Sequence, residues 1–165
     1  MNNSVAIRKA TESDMQTAFK LIGELGYPDL AFTEFATAYE SVLKQPAMTL
    51  LVAEYNGDIV GLASISRRPQ LRLAGDLITI DELVVAENVR GSGVGRAILH
   101  YIKSMSRDSA VRRLELETTR TRESYERGFY IKNGFTEANS AVMRINFANL
   151  GNTGTDDDWR TCNSR

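Results

Sequence analysis

The stretch Leu77 to Ala86 runs directly into Arg90-Gly91-Ser92-Gly93-Val94-Gly95-Arg96, and this junction most limits how the chain can fold. Apolar residues fall on both faces of the first segment, which reads as a strand covered on two sides and central in its sheet. A strand of that kind needs helices packed above and below it. One helix begins in the glycine run itself: Val94, Ala97, Ile98, Tyr101, Ile102 and Met105 recur at helical spacing and predict about four turns against the sheet. A helix start presents unpaired N–H groups and the positive end of a dipole. Glycines at alternate positions leave room for a ligand to reach those groups, so the turn reads as a cradle for an anion such as a diphosphate. Gly-Lys-Ser/Thr is absent, so it is not a P-loop, and Gly-x-Gly-x-x-Gly is not matched either. The plain alternative is a glycine-rich connection without a ligand.

The remaining pattern predicts a strand at Val5 to Lys9, then a helix capped by Thr11 with Asp14 at its third position. Met15, Ala18, Phe19, Ile22 and Leu25 form its apolar face, and Gly26 ends it. A second helix shows Phe32, Phe35, Ala36, Tyr39, Val42 and Leu43 on one side and stops at Gln45-Pro46. Strands Thr49 to Tyr55 and Ile59 to Ser66 flank the hairpin turn Asn56-Gly57-Asp58, and Arg67-Arg68-Pro69 closes the second strand. Arg113 to Thr118 alternates as a strand, Arg122 to Lys132 reads as a helix, Phe135 enters a short strand and Ala141 to Phe147 forms the last one. The expected fold is α/β: a mixed, mostly antiparallel sheet of about seven strands with helices on both faces. Residues 1–148 form one domain, and 149–165 form a polar tail.

With a formal net charge of −1, the chain offers no electrostatic case for nucleic acid or an anionic membrane as partner. One cysteine, Cys162, precludes an intrachain disulfide, and with no signal-peptide pattern or membrane-length apolar run a cytoplasmic protein is expected. The lone histidine, His100, leaves acid–base work to Asp, Glu, Tyr, Lys or Cys, and no metal site is expected. Asp156-Asp157-Asp158 lacks calcium-loop spacing and reads as solvated charge.

Two segments carry a family resemblance. Glu82-Leu83-Val84-Val85 followed by Arg90-Gly91-Ser92-Gly93-Val94-Gly95 resembles the Arg/Gln-x-x-Gly-x-Gly/Ala acetyl-CoA signature of the GNAT N-acetyltransferase superfamily. Phe129-Tyr130-Ile131-Lys132-Asn133-Gly134-Phe135 is similar to its Tyr-x-x-x-Gly-Phe segment, and the order of elements is similar too. Through Leu21 to Pro28 and Ile80 to Val85 the resemblance runs to the small-molecule branch, aminoalkylphosphonate N-acetyltransferases among them. It implies acetyl-CoA as co-substrate, transfer to a small primary amine, and a possible homodimer. It also implies that Leu83, Val84 and Val85 lend backbone groups to the pantetheine arm, while Arg90, Gly91, Ser92, Gly93, Val94, Gly95 and Arg96 hold the diphosphate. Glu126 stands where the family often has a small residue, and Thr119 to Glu123 lacks a common Asn, which leaves this helix's cofactor contacts open.

Glu82 is the candidate base. Strand alternation puts it with Ile78, Ile80 and Val84, where burial should raise its pKa, and Asp81 on the opposite face. A structural ion pair, for example with Arg113, explains the residue equally simply. Tyr130 is the candidate acid toward the leaving thiolate, the role to which the resemblance points; core packing beside Phe129 is the other reading. Arg67 and Arg68 could bind an anionic substrate group or be solvated, and Tyr27, Phe32 and Tyr39 are core residues first and acceptor-pocket walls second. Acetylation of a protein lysine or N-terminus, and a non-catalytic acyl-CoA sensor, are the competing functions.

Overall fold

Asn56 and Gly57 both sit at positive φ, 55° and 91°, and this two-residue turn joins two strands of a five-stranded sheet. The computed structural model describes residues 4–27, 30–107 and 110–145. The elements are β1 (Val5–Lys9), α1 (Met15–Gly23), α2 (Phe32–Lys44), β2 (Met48–Tyr55), β3 (Asp58–Gln70), β4 (Gly75–Val85), α3 (Val94–Met105), β5 (Val111–Leu116), α4 (Glu123–Glu126) and α5 (Phe129–Lys132). The strands lie in the order β1-β2-β3-β4-β5. The first four are antiparallel, and β5 runs parallel to β4 after the crossover through α3.

Helices cover both faces, as expected. On one side α3 buries Val94, Ile98, Leu99 and Ile102 against Leu51, Ala63, Ile65, Ile78 and Ile80. On the other, Ala18 and Leu21 of α1 and Phe35 and Tyr39 of α2 pack on Leu50, Val52, Leu62 and Val84. The start of α1 is tied to the sheet by charge. Asp14 accepts from Arg8 Nη1 at 2.7 Å and Nη2 at 2.9 Å and from the Thr11 backbone N–H at 2.8 Å, while Arg8 Nε donates to Glu54 at 2.7 Å. The guanidinium beside it lowers the Asp14 carboxyl from 3.8 to about 2. Nearby, the Tyr39 hydroxyl donates to Thr11 O at 2.8 Å, and burial pushes it up to about 12.

The structure departs from the sequence pattern in four places. The described residues form five strands, not about seven. Phe135 does not begin a strand; its N–H donates to Tyr130 O at 3.1 Å. Residues 141–145 of the expected last strand carry no regular structure, and 146–147 lie outside the described residues. Alternating apolar residues make a strand only where another strand offers its backbone, and among the described residues none pairs with this segment. It belongs to a second unit, residues 136–165, in which Val142, Met143 and Ile145 are exposed. The tail from 149, with Cys162 and the three aspartates, lies outside the described residues.

The helix expected over Arg122 to Lys132 is two short ones. Gly128, at φ 67°, breaks it and begins α5. β3 does not stop at Arg67 but runs through Pro69 to Gln70. Its pairing to β2 ends at Ser66, so Pro69 pairs only with β4 and its missing N–H interrupts no ladder on the other side.

The fourth departure lies in β4. Ser64 pairs with Glu82 and Ile65 with Ile80, so Asp81 is one residue too many, a β-bulge. Ile78 and Ile80 face α3 before the bulge, and Leu83 and Val85 face it afterwards. Glu82 therefore shares the α1–α2 face with Val84 and not with Ile78 and Ile80. Asp81, expected on the opposite face, lies beside it.

Candidate active site

The parallel ladder between β4 and β5 ends at Ile80 and Leu116, whereas β4 continues to Val85 paired to β3 alone. Toward β5, Leu83, Val84 and Val85 thus present a strand edge without a partner strand among the described residues. Along it runs a cleft of about 660 Å³, walled by this edge, the glycine turn, the start of α3, and α4 and α5. Its lining includes Leu83, Val84, Val85, Arg90, Gly91, Gly93, Val94, Gly95, Arg96 and Tyr130. Charged side chains on the walls are Arg90, Arg96, Arg122, Arg127 and Lys132 against Glu24 and Glu123, a positive excess suited to a phosphate-rich ligand.

The turn is shaped for an anion. Gly91 and Gly93 have φ 86° and 95°, and a Cβ added at either would meet nothing within 4 Å, so the cleft side is open. Gly93 is the N-cap of α3, and no side chain caps the helix, which leaves the first-turn N–H groups of Val94, Gly95 and Arg96 facing outward from its end. Gly95 matters for packing instead. A Cβ there would stand 3.1 Å from Phe129 Cζ, so its small size lets α5 close on α3. Ser92 is not on the cleft wall. Its N–H and hydroxyl both donate to Val89 O, at 3.2 and 2.6 Å.

Two residues that sequence reasoning missed, Glu24 and Arg122, hold this geometry. Glu24, just past α1, accepts from the Glu87 N–H at 2.8 Å and from Arg90 Nη2 at 3.3 Å. Arg90 also donates to Val85 O at 3.1 Å, so its guanidinium is committed to clamping the turn to the end of β4. Arg122 reaches from the start of α4 to Leu25 O at 2.9 Å, closing one end of the cleft. Phe129 stacks edge-on to Tyr130, centroids 5.1 Å apart, and Tyr130 meets Phe135 at 6.1 Å. The Arg122–Leu25 bond joins residues 97 positions apart, and no local spacing announces it. Tyr130 is half-buried, and its ring packs as the plain reading expected while it also lines the cleft.

Glu82 adjoins the cleft without lining it. It is half-buried, and burial raises its pKa, opposed by a hydrogen bond from Ser64 and reinforced by the Asp81 charge. Ser64, the register partner of Glu82 on β3, is only 5% exposed. The alternative pair with Arg113 is not formed: Arg113 lies 4.0 Å from Glu115. Arg67 is not available for an anion, being paired to Asp76 at 2.7 Å, and the Arg68 charge acts on Asp81. Tyr39 is buried, Phe32 packs edge-on to Phe19, and Tyr27 is 60% exposed. Two buried hydroxyls, Thr79 Oγ1 in β4 and Thr118 Oγ1 just past β5, have no hydrogen-bond partner among the described residues. Among the described residues no cluster of three or more His, Cys, Asp or Glu could hold a metal, and no helix is long and apolar enough to cross a membrane.

Residues 11–135 match the acetyltransferase (GNAT) family. The chain belongs to that family. This GNAT chain is 29% identical over 132 residues to the aminoalkylphosphonate N-acetyltransferase of Salmonella typhimurium, covering 80% of its own length and 85% of the relative's. It is 28% identical over 142 residues to the glucosamine 6-phosphate N-acetyltransferase of Trypanosoma brucei brucei, covering 84% and 93%. An aminoglycoside N-acetyltransferase solved in complex with CoA shares the fold, with a TM-score of 0.76 at 15% identity over 89% of this chain and 97% of that one. GNAT proteins use acetyl-CoA, and the open glycine turn, the uncapped helix start and the unpaired strand edge are compatible with that ligand.

Proposed function

We propose that this GNAT chain transfers the acetyl group of acetyl-CoA directly to a small primary amine. The observation that carries the reading is the early end of the β4–β5 ladder at Ile80, which opens a strand edge leading from the glycine turn to Glu82. The N–H groups at the start of α3 and the Arg96 side chain would hold the diphosphate, and the backbone of Leu83 to Val85 the pantetheine arm. When bound, the cofactor supplies the acetyl group as a thioester. Glu82 accepts the proton that the acceptor nitrogen must lose, directly or through a water, and its raised pKa suits that role. The Tyr130 hydroxyl returns a proton to the departing sulfur. Holding amine and thioester together accounts for much of the remaining acceleration.

The named relatives act on small amines bearing an anionic group. Here Arg67 is already paired, so the acceptor needs no phosphate or phosphonate to find a place at that arginine. Calorimetry with acetyl-CoA, followed by thiol release over a panel of small amines and lysine-containing peptides, tests the reading. Cofactor binding with turnover of small amines is the expected result. Turnover of peptides alone would replace it with protein acetylation, and binding without turnover of any amine would replace it with an acyl-CoA sensor. Within the panel, Glu82→Gln should lower turnover at neutral pH and leave acetyl-CoA affinity unchanged; an unaltered pH–rate profile would remove Glu82 from the chemistry.

A further inference from the structure

The bulge in β4 brings two carboxylates together. An inserted residue turns Asp81 onto the face of Glu82, and each acid meets a serine of β3: the Ser66 hydroxyl donates to Asp81 Oδ1 at 3.2 Å, and Ser64 is the register partner of Glu82, its hydroxyl favouring the ionised carboxylate. Neither acid has an ion-pair partner within salt-bridge distance among the described residues. Adjacent, partly desolvated carboxylates repel, and the arrangement persists because the two serines and the strand pairing fix it. An ordinary strand would separate the pair onto opposite faces.

We propose that Asp81 is a positioning residue that acts through Glu82: the bulge sets its charge beside the Glu82 carboxylate and so makes that carboxylate the stronger proton acceptor. Ser64 works in the opposite sense, because its hydroxyl stabilises the ionised form. The elements packed on β4 carry Asp58, Arg67 and Arg68 in β3, Lys20 in α1, Arg112, Arg113 and Glu115 in β5, and Arg96, His100 and Lys103 in α3. Arg67 is held by Asp76, Arg68 acts on Asp81, and Glu115 lies by Arg113. The charge acting on Glu82 among the described residues is that of Asp81. The inference rests on the reading of Glu82 as the base, and the two can fail separately.

The test is a carbon-13 titration of side-chain carboxyls in the intact chain, with the Glu82 signal assigned by its loss in Glu82→Gln. Asp81→Asn should lower the Glu82 midpoint by roughly one to two pH units, the Coulomb effect of one adjacent charge in a medium between water and protein surface. Ser64→Ala should raise it, and Asp81→Glu, which keeps the charge, should leave it near wild type. A Glu82 midpoint that does not move in Asp81→Asn overturns the proposal, as does one displaced equally by Asp81→Glu. The acid limb of kcat/KM should follow the titration in the same direction. If the midpoint moves but Glu82→Gln leaves the pH–rate profile unaltered, the carboxylates are coupled and Glu82 is not the base, which overturns a role for Asp81 in the reaction.

Discussion

Asp14 fastens the helix that ends beside the glycine turn, and its contribution to stability can be worked from its surroundings. Its side chain is 6% exposed and takes two short bonds from Arg8 and one from the Thr11 N–H. The fall of its carboxyl from 3.8 to about 2 corresponds to about 2 kcal/mol of stability at neutral pH, at roughly 1.4 kcal/mol per pH unit. Because the folded value lies below the unfolded one, this contribution is complete above about pH 5 and is lost as pH falls through about 2. Asp14→Asn keeps the shape and removes the charge. Urea unfolding followed by far-ultraviolet circular dichroism should show a loss of about 1–2 kcal/mol at pH 7, since the amide oxygen still accepts some of these bonds. That corresponds to a fall of roughly 2–8 °C in Tm for a chain of this size. Between pH 5 and pH 2 the gap between variant and wild type should close. Equal stability at pH 7, or a gap that stays constant down to pH 2, would refute the account.

The cleft offers three more outcomes to check. Gly93→Ala should weaken acetyl-CoA binding by about tenfold, read by calorimetry, because φ 95° costs an L side chain roughly 1–2 kcal/mol, which the free turn relieves by leaving this conformation and which binding must then restore; unchanged affinity would place the diphosphate elsewhere. Gly95→Val should cost about 1–3 kcal/mol in urea unfolding, because its Cβ would begin 3.1 Å from Phe129 and its methyls would push α5 away; a variant as stable as wild type would show that α5 yields freely. Tyr130→Phe should lower kcat on the order of tenfold or more while the Kd for acetyl-CoA stays constant, and an unchanged kcat would reduce Tyr130 to its ring contacts.

Much of the fold was legible because it depends on local rules. Asn56-Gly57, Gly26 and the apolar stripes of α1, α2 and α3 each determine their own neighbourhood, and the structure follows them. The glycine turn was legible for the same reason. What stayed hidden depends on partners distant in sequence. The bulge at Asp81 arises from how β3 and β4 align, and alternation counted along β4 alone assigns Glu82 to the wrong face. Glu24 and Arg122 look like ordinary surface charges until the chain brings Arg90 and Leu25 to them. The late strands failed in the other direction: alternation over Ala141 to Phe147 describes a segment able to pair, and pairing is settled by the other strand. Gly128 was in plain view inside the expected helix, and its positive φ explains the break.

The strand β4 leads two lives. Up to Ile80 its backbone is satisfied by strands on both sides; beyond it, by β3 alone. A ligand laid along Leu83 to Val85, as proposed, would act as a temporary sixth strand, and its binding energy would become folding energy for that half of the sheet. At a hundredfold excess over Kd this is worth about 2.7 kcal/mol by mass action. Amide hydrogen exchange should register it unevenly, slowing in the upper part of β4 and in the first turn of α3 while Asp76 to Ile80 keep their rates. The resistance of the chain to unfolding would then rise and fall with the supply of the molecule it consumes.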